Sequence, residues 1–599
     1  MQVRVERVGA VMVLVMANPP VNALSEGVRS GLAEGLAAGL ADPTVTAIVL
    51  RGEGRGFCAG ADIAEFGKPR KGVRLGDLCL AIEASPKPVI AAIHGMALGG
   101  GMELALAAHY RVANEAAVLG LPEVNLGILP GAGGTQRLPR IVGAKEALQM
   151  MLTGMPITAR EAAGLGLVDR VVTSGLTEAA LAMASEVPTP RPTGERRRGL
   201  KNARDYLAAV AEARAGQGGN RLPAPARIVD CVEAALLFPL AQGLETEAAA
   251  FADLVETSEA AGLRHAFFAE RRAMQLPAAV TATGLEPIAS LAIWTMGDGV
   301  ADLAAQALGA GVRVVLADPD RGALVTAMEA IALRQEVEVE AGRMSPEARD
   351  ADWARLVSST SSEALEGVDL VLCTAAAPAL PKVGGALCQA ALGQAGQGAP
   401  AGLTVPQVQG GLAELGMAAG AEPLVLARLA ALARRLKWRL VPVGPGGPVE
   451  LGLRQALARA MDFLADEGIS DLAATAALAR WVQPKPGSLP VPAATLAQQS
   501  RVIAVCLDAL AAEGARMLQD GRARRPLEVD AISIMSGIVP RWEGGPMFKA
   551  DQRGLLVLRR DLIALAEASP VFLPPELMDD LIAEGETFAG LNTARGQAA

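Results

Sequence analysis

Apolar and charged residues alternate from Gln2 to Val8, and Val11 to Met16 is an unbroken apolar run, the pattern of a β-hairpin. Asn18-Pro19-Pro20-Val21-Asn22-Ala23-Leu24 closes it, and Ser25 stands where an N-cap would open an amphipathic helix reaching Leu40. Strand-like runs, glycine loops and helical spacing then recur over 46–66, 88–109 and 117–140, the rhythm of an α/β domain. Leu148 to Val172 reads as a helix with a break, and this first domain is expected to end near 185. From 186 to 285 the spacing is helical and strand-poor. Ala289–Trp294, Val300–Leu308 and Val312–Ala317 then read as strand, helix and strand, a βαβ unit ending at Asp318. Residues 392–412, rich in Gly, Ala and Gln, read as a loop.

Length agrees with several domains, because 599 residues exceed the roughly 250–300 that one core usually reaches. With 51% hydrophobic but only 3% aromatic residues, the cores must be built from Ala, Leu and Val. A net charge of −9 argues against nucleic acid, and Arg196-Arg197-Arg198 reads as a solvated helix face. Six scattered cysteines without C-x-x-C spacing read as reduced thiols, and no His/Cys cluster has metal-ligand spacing. The apolar run 85–107 is broken by glycines, His94 and Glu103, which argues against a membrane span. The N-terminal strand pattern is not that of a targeting peptide, and Arg595-Gly596-Gln597-Ala598-Ala599 is no peroxisomal tripeptide. A cytoplasmic location is the expectation.

Candidate chemistry centres on Ile93-His94-Gly95-Met96-Ala97-Leu98-Gly99-Gly100-Gly101-Met102-Glu103-Leu104-Ala105. Glycines at a strand-to-helix junction let backbone amides approach a ligand, at the helix end where unpaired N–H groups favour negative charge. Glu103 falls in the first turn, so a carboxylate lies about one turn from those amides. Such donors beside an acid suit a reaction that charges a carbonyl oxygen while a proton moves. Alone, the stretch equally fits close helix–strand packing with Glu103 in solvent. Arg55-Gly56-Phe57-Cys58-Ala59-Gly60-Ala61-Asp62-Ile63 offers a second accessible backbone. Leu121-Pro122-Glu123-Val124-Asn125-Leu126-Gly127-Ile128-Leu129-Pro130-Gly131-Ala132-Gly133-Gly134-Thr135-Gln136-Arg137-Leu138 adds another acid and a glycine-rich turn.

In this order and spacing the three stretches resemble the enoyl-CoA hydratase/isomerase (crotonase) family over roughly the first 185 residues. The resemblance implies a crotonase fold of β-β-α units and hydration of a 2,3-double bond in an acyl-CoA thioester. It assigns the oxyanion hole to the N–H groups of Ala61 and Gly100, and implies that Glu103 activates water while Glu123 exchanges the C2 proton. Gly131 is implied to orient the Glu123 side, and the backbone around Ala59, Ala61 and Ile63 to bind the adenine of coenzyme A. Both glutamates being present favours hydration, with double-bond isomerisation as a side activity. His94 and His109 are expected to be structural.

Arg264-His265-Ala266-Phe267-Phe268-Ala269-Glu270-Arg271 resembles the linker helix of multifunctional fatty-acid-oxidation enzymes, which fuse such a hydratase to a 3-hydroxyacyl-CoA dehydrogenase. Pro540-Arg541-Trp542-Glu543-Gly544-Gly545-Pro546-Met547-Phe548-Lys549-Ala550-Asp551 resembles the C-terminal region of that dehydrogenase. The implied organisation is a crotonase domain (1–185), a helical linker (186–285), a degenerate Rossmann-like domain (286–440) and a helical C-terminal domain (441–599). Linker helices over the hydratase imply a monomer. Degeneracy is expected from the glycine fingerprint: counted back from Asp318 it falls on Thr295-Met296-Gly297-Asp298-Gly299-Val300, which keeps only Gly297. A gapped alignment instead puts Ala292 and Trp294 on glycine positions, where the Trp would block a pyrophosphate. No histidine follows His265, so the family's His–Glu dyad is expected to be missing. The combined expectation is a hydratase with coenzyme A only as part of its substrate, NAD binding lost and the dehydrogenase half inactive. The alternatives are a bifunctional hydratase–dehydrogenase and a non-enzymatic acyl-CoA-binding scaffold.

Overall fold

A computed structural model describes residues 2–62, 65, 71–187, 189–374, 389–392, 401–405, 411–482 and 493–594. The described chain divides into two compact units at residue 264.

In the first unit the expected hairpin is β1 (Val3–Val8) against β2 (Val11–Met16), antiparallel with Val8 opposite Val11. The helix expected from Ser25 is α1 (Glu26–Ala41), although the Ser25 hydroxyl donates to Gln2 Oε1 instead of capping it. Then come β3 (Ala47–Gly52), α2 (Leu75–Glu83), β4 (Val89–Ile93), β5 (Met96–Leu98), α3 (Gly100–Ala107), β6 (Tyr110–Asn114) and β7 (Val118–Gly120). A short 3₁₀ turn, Glu123–Leu126, precedes α4 (Gly134–Val142), α5 (Ala144–Thr153), β8 (Ile157–Thr158), α6 (Ala159–Gly164), β9 (Arg170–Val172) and α7 (Leu176–Glu186). The main sheet runs β1-β2-β3-β4-β6-β9, parallel from β2 onward, and a small sheet runs β5-β7-β8. Both faces of the main sheet are buried: Leu14, Ile48, Leu50, Ala91 and Ile93 pack into one core, and Val13, Val15, Val49, Ile90 and Ala92 into another. This two-sided burial explains why the strands read as continuous apolar runs.

The strand-poor stretch after α7 is α8 (Ala203–Gly216), α9 (Pro223–Leu237), α10 (Leu240–Val255), α11 (Ser258–Ala273) and α12 (Ala278–Thr283). Helix α8 packs on α5, α9 on α4 and α5, and α10 on α4. They share the first core, through Tyr206, Val210, Ile228, Val229, Val232 and Leu254.

In the second unit, β10 (Ser290–Trp294), α13 (Val300–Gly309) and β11 (Arg313–Ala317) form the expected βαβ unit. It continues with α14 (Arg321–Glu340), α15 (Pro346–Trp353), β12 (Leu356–Ser359), β13 (Leu370–Cys373), β14 (Gln389–Leu392), β15 (Ala401–Leu403), β16 (Leu412–Met417), α16 (Pro423–Arg435) and β17 (Arg439–Val443). Ala401–Leu403, read from composition as loop, is a strand because β14 and β16 flank it. The sheet order is β12-β11-β10-β13-β14-β15-β16-β17 and only β15–β16 is antiparallel. Its first six strands follow the doubly-wound nucleotide-binding order, reversing between β10 and β13. Helices α17 (Val449–Asp466), α18 (Asp471–Val482), α19 (Ala493–Gln519), α20 (Pro526–Met535) and α21 (Pro546–Arg553) follow, with more helix to Ala594. No described helix is long and apolar enough to cross a membrane.

Candidate active site

The site is assembled where β5 meets α3. Gly99, the N-cap of α3, has φ 52° and ψ −126°, a conformation that needs glycine. A Cβ on Gly101 would lie 2.4 Å from the Cys58 carbonyl oxygen, and one on Gly100 would lie 3.1 Å from the Ala61 nitrogen. The glycine run thus lets the start of α3 lie directly on the 58–61 backbone. Cys58 N donates to Met96 O and Leu98 N to Cys58 O, which locks the two segments together.

The Ala61 and Gly100 amides therefore lie side by side. Leu24 N donates to Gly60 O in the short bridge there, which leaves the Ala61 N–H outside that ladder. Gly100 is the first residue of α3, where an N–H has no acceptor within the helix. Ala59 lies on the same segment with its N–H donated to Val21 O, and Ile63 falls outside the described residues.

Two acids close on this point. Glu103, in the first turn of α3, is 3% exposed, and its Oε1 accepts the N–H groups of Ala132 (2.7 Å) and Gly134 (2.8 Å). Glu123 reaches in from the 3₁₀ turn, with Oε1 3.2 Å from where a Cβ on Gly99 would be. Its Oε2 is buried without a hydrogen-bond partner. Burial raises the Glu103 pKa, opposed by the two amides and by Arg137. Burial raises Glu123 well above the carboxylate range, and the charge of Glu103 adds to it. The two environments differ: the amides favour charge on Glu103, whereas Glu123 Oε2 has no such donor. Gly131 lies in the loop that supplies those amides, and a Cβ on it would sit 2.4 Å from the Phe251 ring of α10.

Residues that sequence reasoning passed over hold this loop. Arg137 is fully buried, donates to Ala132 O, and pairs with Glu83 at 2.9 Å. Glu247 on α10 is 1% exposed and accepts from Gly133 N, Thr135 N and the Thr135 hydroxyl. A signal for it existed: the buried positions of α10 are Gly243, Glu247, Ala250 and Leu254, so an acid sits on the inward stripe. His109 accepts from Val89 N and donates to Glu83 O, while His94 Nε2 contacts Gly54 O. Neither ring faces the acids through these bonds. His265, in the second unit, pairs with Asp530 at 2.8 Å and stacks on Phe548. Among the described residues no His/Cys/Asp/Glu group could hold a metal.

The features expected to spoil the nucleotide loop are placed differently from the expectation. Trp294 turns into the opposite face of the sheet, packed with Val315, Leu365, Val368 and Val371, so it does not block the loop. Thr295 takes the left-handed conformation (φ 63°) that a glycine would normally supply. A Cβ on Gly297 would meet nothing closer than 3.6 Å, and Gly299 caps α13. Val300, on the third fingerprint position, packs into the core. Asp318 accepts Met296 N at 2.7 Å and Asp320 N at 2.8 Å, so it shapes the loop. At the sheet's reversal point the hydroxyls of Thr295 and Thr374 bond to each other.

Residues 6–193 match the family model described as enoyl-CoA hydratase/isomerase, and residues 290–376 the one described as 3-hydroxyacyl-CoA dehydrogenase, NAD binding domain. The chain is 38% identical over 375 residues to the peroxisomal bifunctional enzyme of Danio rerio, covering 61% of this chain and 51% of that one. It is 34% identical over 391 residues to the glyoxysomal fatty acid beta-oxidation multifunctional protein of Brassica napus, covering 60% and 52%. A solved enoyl-CoA hydratase from Bacillus anthracis is 30% identical and covers 45% of this chain and 96% of its own, with a TM-score of 0.30. The chain spans about half the length of the curated relatives it matches. Two expectations are corrected. Loss of NAD binding does not stand, since residues 290–376 match an NAD-binding domain and counting glycines could not tell which way Trp294 points. The cytoplasmic location does not stand either: these relatives carry peroxisomal and glyoxysomal names, and a missing tripeptide does not identify a compartment.

Proposed function

Since the chain belongs to the family that fuses an enoyl-CoA hydratase/isomerase domain to a 3-hydroxyacyl-CoA dehydrogenase NAD-binding domain, we propose that its first unit hydrates 2-enoyl-CoA thioesters. The observation that carries this reading is the pair of buried acids in unlike environments beside the Ala61 and Gly100 amides. The thioester oxygen is held by those two N–H groups and takes up negative charge as water adds at C3. Glu103, whose charge the Ala132 and Gly134 amides stabilise, takes the water proton. Glu123, which burial and Glu103 keep protonated, delivers a proton to C2. Double-bond isomerisation is a side activity open to the same pair, because Glu123 can exchange protons along the acyl chain.

The bifunctional reading extends this one. Hydration yields a 3-hydroxyacyl-CoA, the substrate class named by the second domain's family, and a loop that keeps Gly297 and Gly299 ahead of α13 favours a bound dinucleotide there. NAD supplies hydride acceptance when bound, with Gly297 and Gly299 giving the pyrophosphate access to the start of α13. No histidine follows His265, so the hydroxyl proton must go to another acceptor. The peroxisome or glyoxysome of the relatives replaces the cytoplasm as the setting for this chemistry.

Crotonyl-CoA hydration by the full chain tests the first activity, and NAD⁺-dependent oxidation of 3-hydroxybutyryl-CoA the second. Glu103→Gln and Glu123→Gln should each lower hydration by about 10²–10⁴-fold. Binding of butyryl-CoA, which cannot be hydrated, should survive both. Near-normal turnover in either variant would reject the assigned roles.

A further inference from the structure

We propose that Glu247 is a positioning residue of the hydratase, reaching from α10 to fix the 131–135 loop and, through that loop, the carboxylate of Glu103. The inference rests on the hydratase reading above and carries its site beyond residue 193, where the matched hydratase domain ends.

The loop between Pro130 and α4 presents its amides in alternation. Ala132 N and Gly134 N point to Glu103, whereas Gly133 N (2.6 Å) and Thr135 N (2.9 Å) point to Glu247. Each carboxylate therefore holds one edge of the same four-residue turn, and neither edge can shift without the other. The Thr135 hydroxyl also bonds Glu247 Oε2, and itself accepts from Gln136 Nε2, which donates to Cys231 O on α9 as well. Around the turn, a Cβ on Gly243 would lie 2.0 Å from Gln136 Oε1, and one on Gly131 would meet the Phe251 ring. Helix α10 is thus seated on this turn by glycines on both sides of the contact. An aspartate-sized error in such a strut would move Glu103 relative to the oxyanion amides, and misplacements near 1 Å can cost about 100-fold.

The groups facing Glu247 are Glu103 from α3, Arg137 from α4, and the Cys79 and Cys231 thiols from α2 and α9, with Glu123 felt more weakly. Burial, then repulsion from Glu103, pushes the Glu247 carboxyl up to about 8. Glu247 is therefore electrostatically joined to the reacting acids as well as mechanically. Taking it away lowers the repulsion on Glu123, so the pH at which Glu123 gives up its proton should fall.

The test uses the full chain and crotonyl-CoA, with kcat and kcat/KM followed from about pH 5 to 10. Glu247→Gln keeps the shape but presents an N–H₂ where an amide N–H needs an acceptor. Its kcat should fall by up to about 100-fold, with butyryl-CoA binding within about threefold of wild type and the basic limb moved to lower pH. Thr135→Val should give a smaller loss of kcat, which Thr135→Ser restores. Wild-type kcat and an unmoved basic limb in Glu247→Gln would overturn the inference alone. So would a loss of kcat matched by thermal unfolding with the limb unmoved, the signature of a simple strut. If Glu247→Gln is insoluble, Thr135→Val decides, and wild-type behaviour there overturns the proposal. A wild-type chain without hydratase activity overturns the functional reading and this inference with it.

Discussion

At the scale of single residues, the two acids differ in what their oxygens meet. Glu103 Oε1 accepts two amides, which stabilise its charge, whereas Glu123 Oε2 is buried and unpartnered. Burial raises both, so each limb of the activity profile is displaced upward. The base must be ionised, so hydration is lost as pH falls through the pKa of Glu103, which lies above 4.5. The acid must be protonated, so hydration is lost again as pH rises through the pKa of Glu123, which burial and the charge of Glu103 raise. A bell-shaped kcat/KM profile follows, with its acid limb above the range of a free glutamate, and a pH-rate series on crotonyl-CoA checks it. Glu103 was readable because it lies two residues after a glycine run. Its amide partners, Ala132 and Gly134, were not, because they lie 29 and 31 residues away.

Between elements, one buried ion pair ties α2 to α4. Glu83 ends α2, takes Arg137 Nε and Nη2 on one oxygen and accepts Gly194 N on the other. Side chains of the pair are 7% and 1% exposed, so removing the acid's charge strands a guanidinium in a place without water. Breaking such a pair costs about 3–5 kcal/mol. Glu83→Gln should lose that much in denaturant unfolding of the first unit. It should also lower hydration, because Arg137 holds the carbonyl of Ala132, whose N–H binds Glu103. The helix containing Arg137 was visible in the apolar spacing. Its side chain's direction was not, since an arginine at that position would ordinarily be drawn toward water.

For the whole molecule, helices α8, α9 and α10 cover the faces of α4 and α5 within the first unit. Apolar surface so covered is no longer free to join copies of the chain. The full chain should therefore be a monomer, and light scattering at low micromolar concentration that shows a trimer would reject this. The second unit carries its own core around β10, β11, β13 and β16, distinct from the hydratase core. Its strand order belongs to a nucleotide-binding sheet, although the glycine fingerprint on which sequence reasoning relied is incomplete.

What the sequence determined by itself is whatever depends on near neighbours. Backbone period and glycine placement place β2, α1, β10 and α13 within a residue or two of where they were expected, and the α3 glycines mark the site. These features follow from local sterics and from which face of an element is apolar, both written in a few consecutive residues. Tertiary structure alone decided the rest. Trp294 could face either side of its strand, and only the packing of Leu365 and Val368 sends it away from the nucleotide loop. Ala401–Leu403 becomes a strand because two neighbours offer it hydrogen bonds, against its composition. Glu247 meets Gly133 and Thr135 across more than a hundred residues. Contacts over such distances are fixed by how whole elements stack, and a buried polar side chain is tolerated only where that stacking supplies its partners.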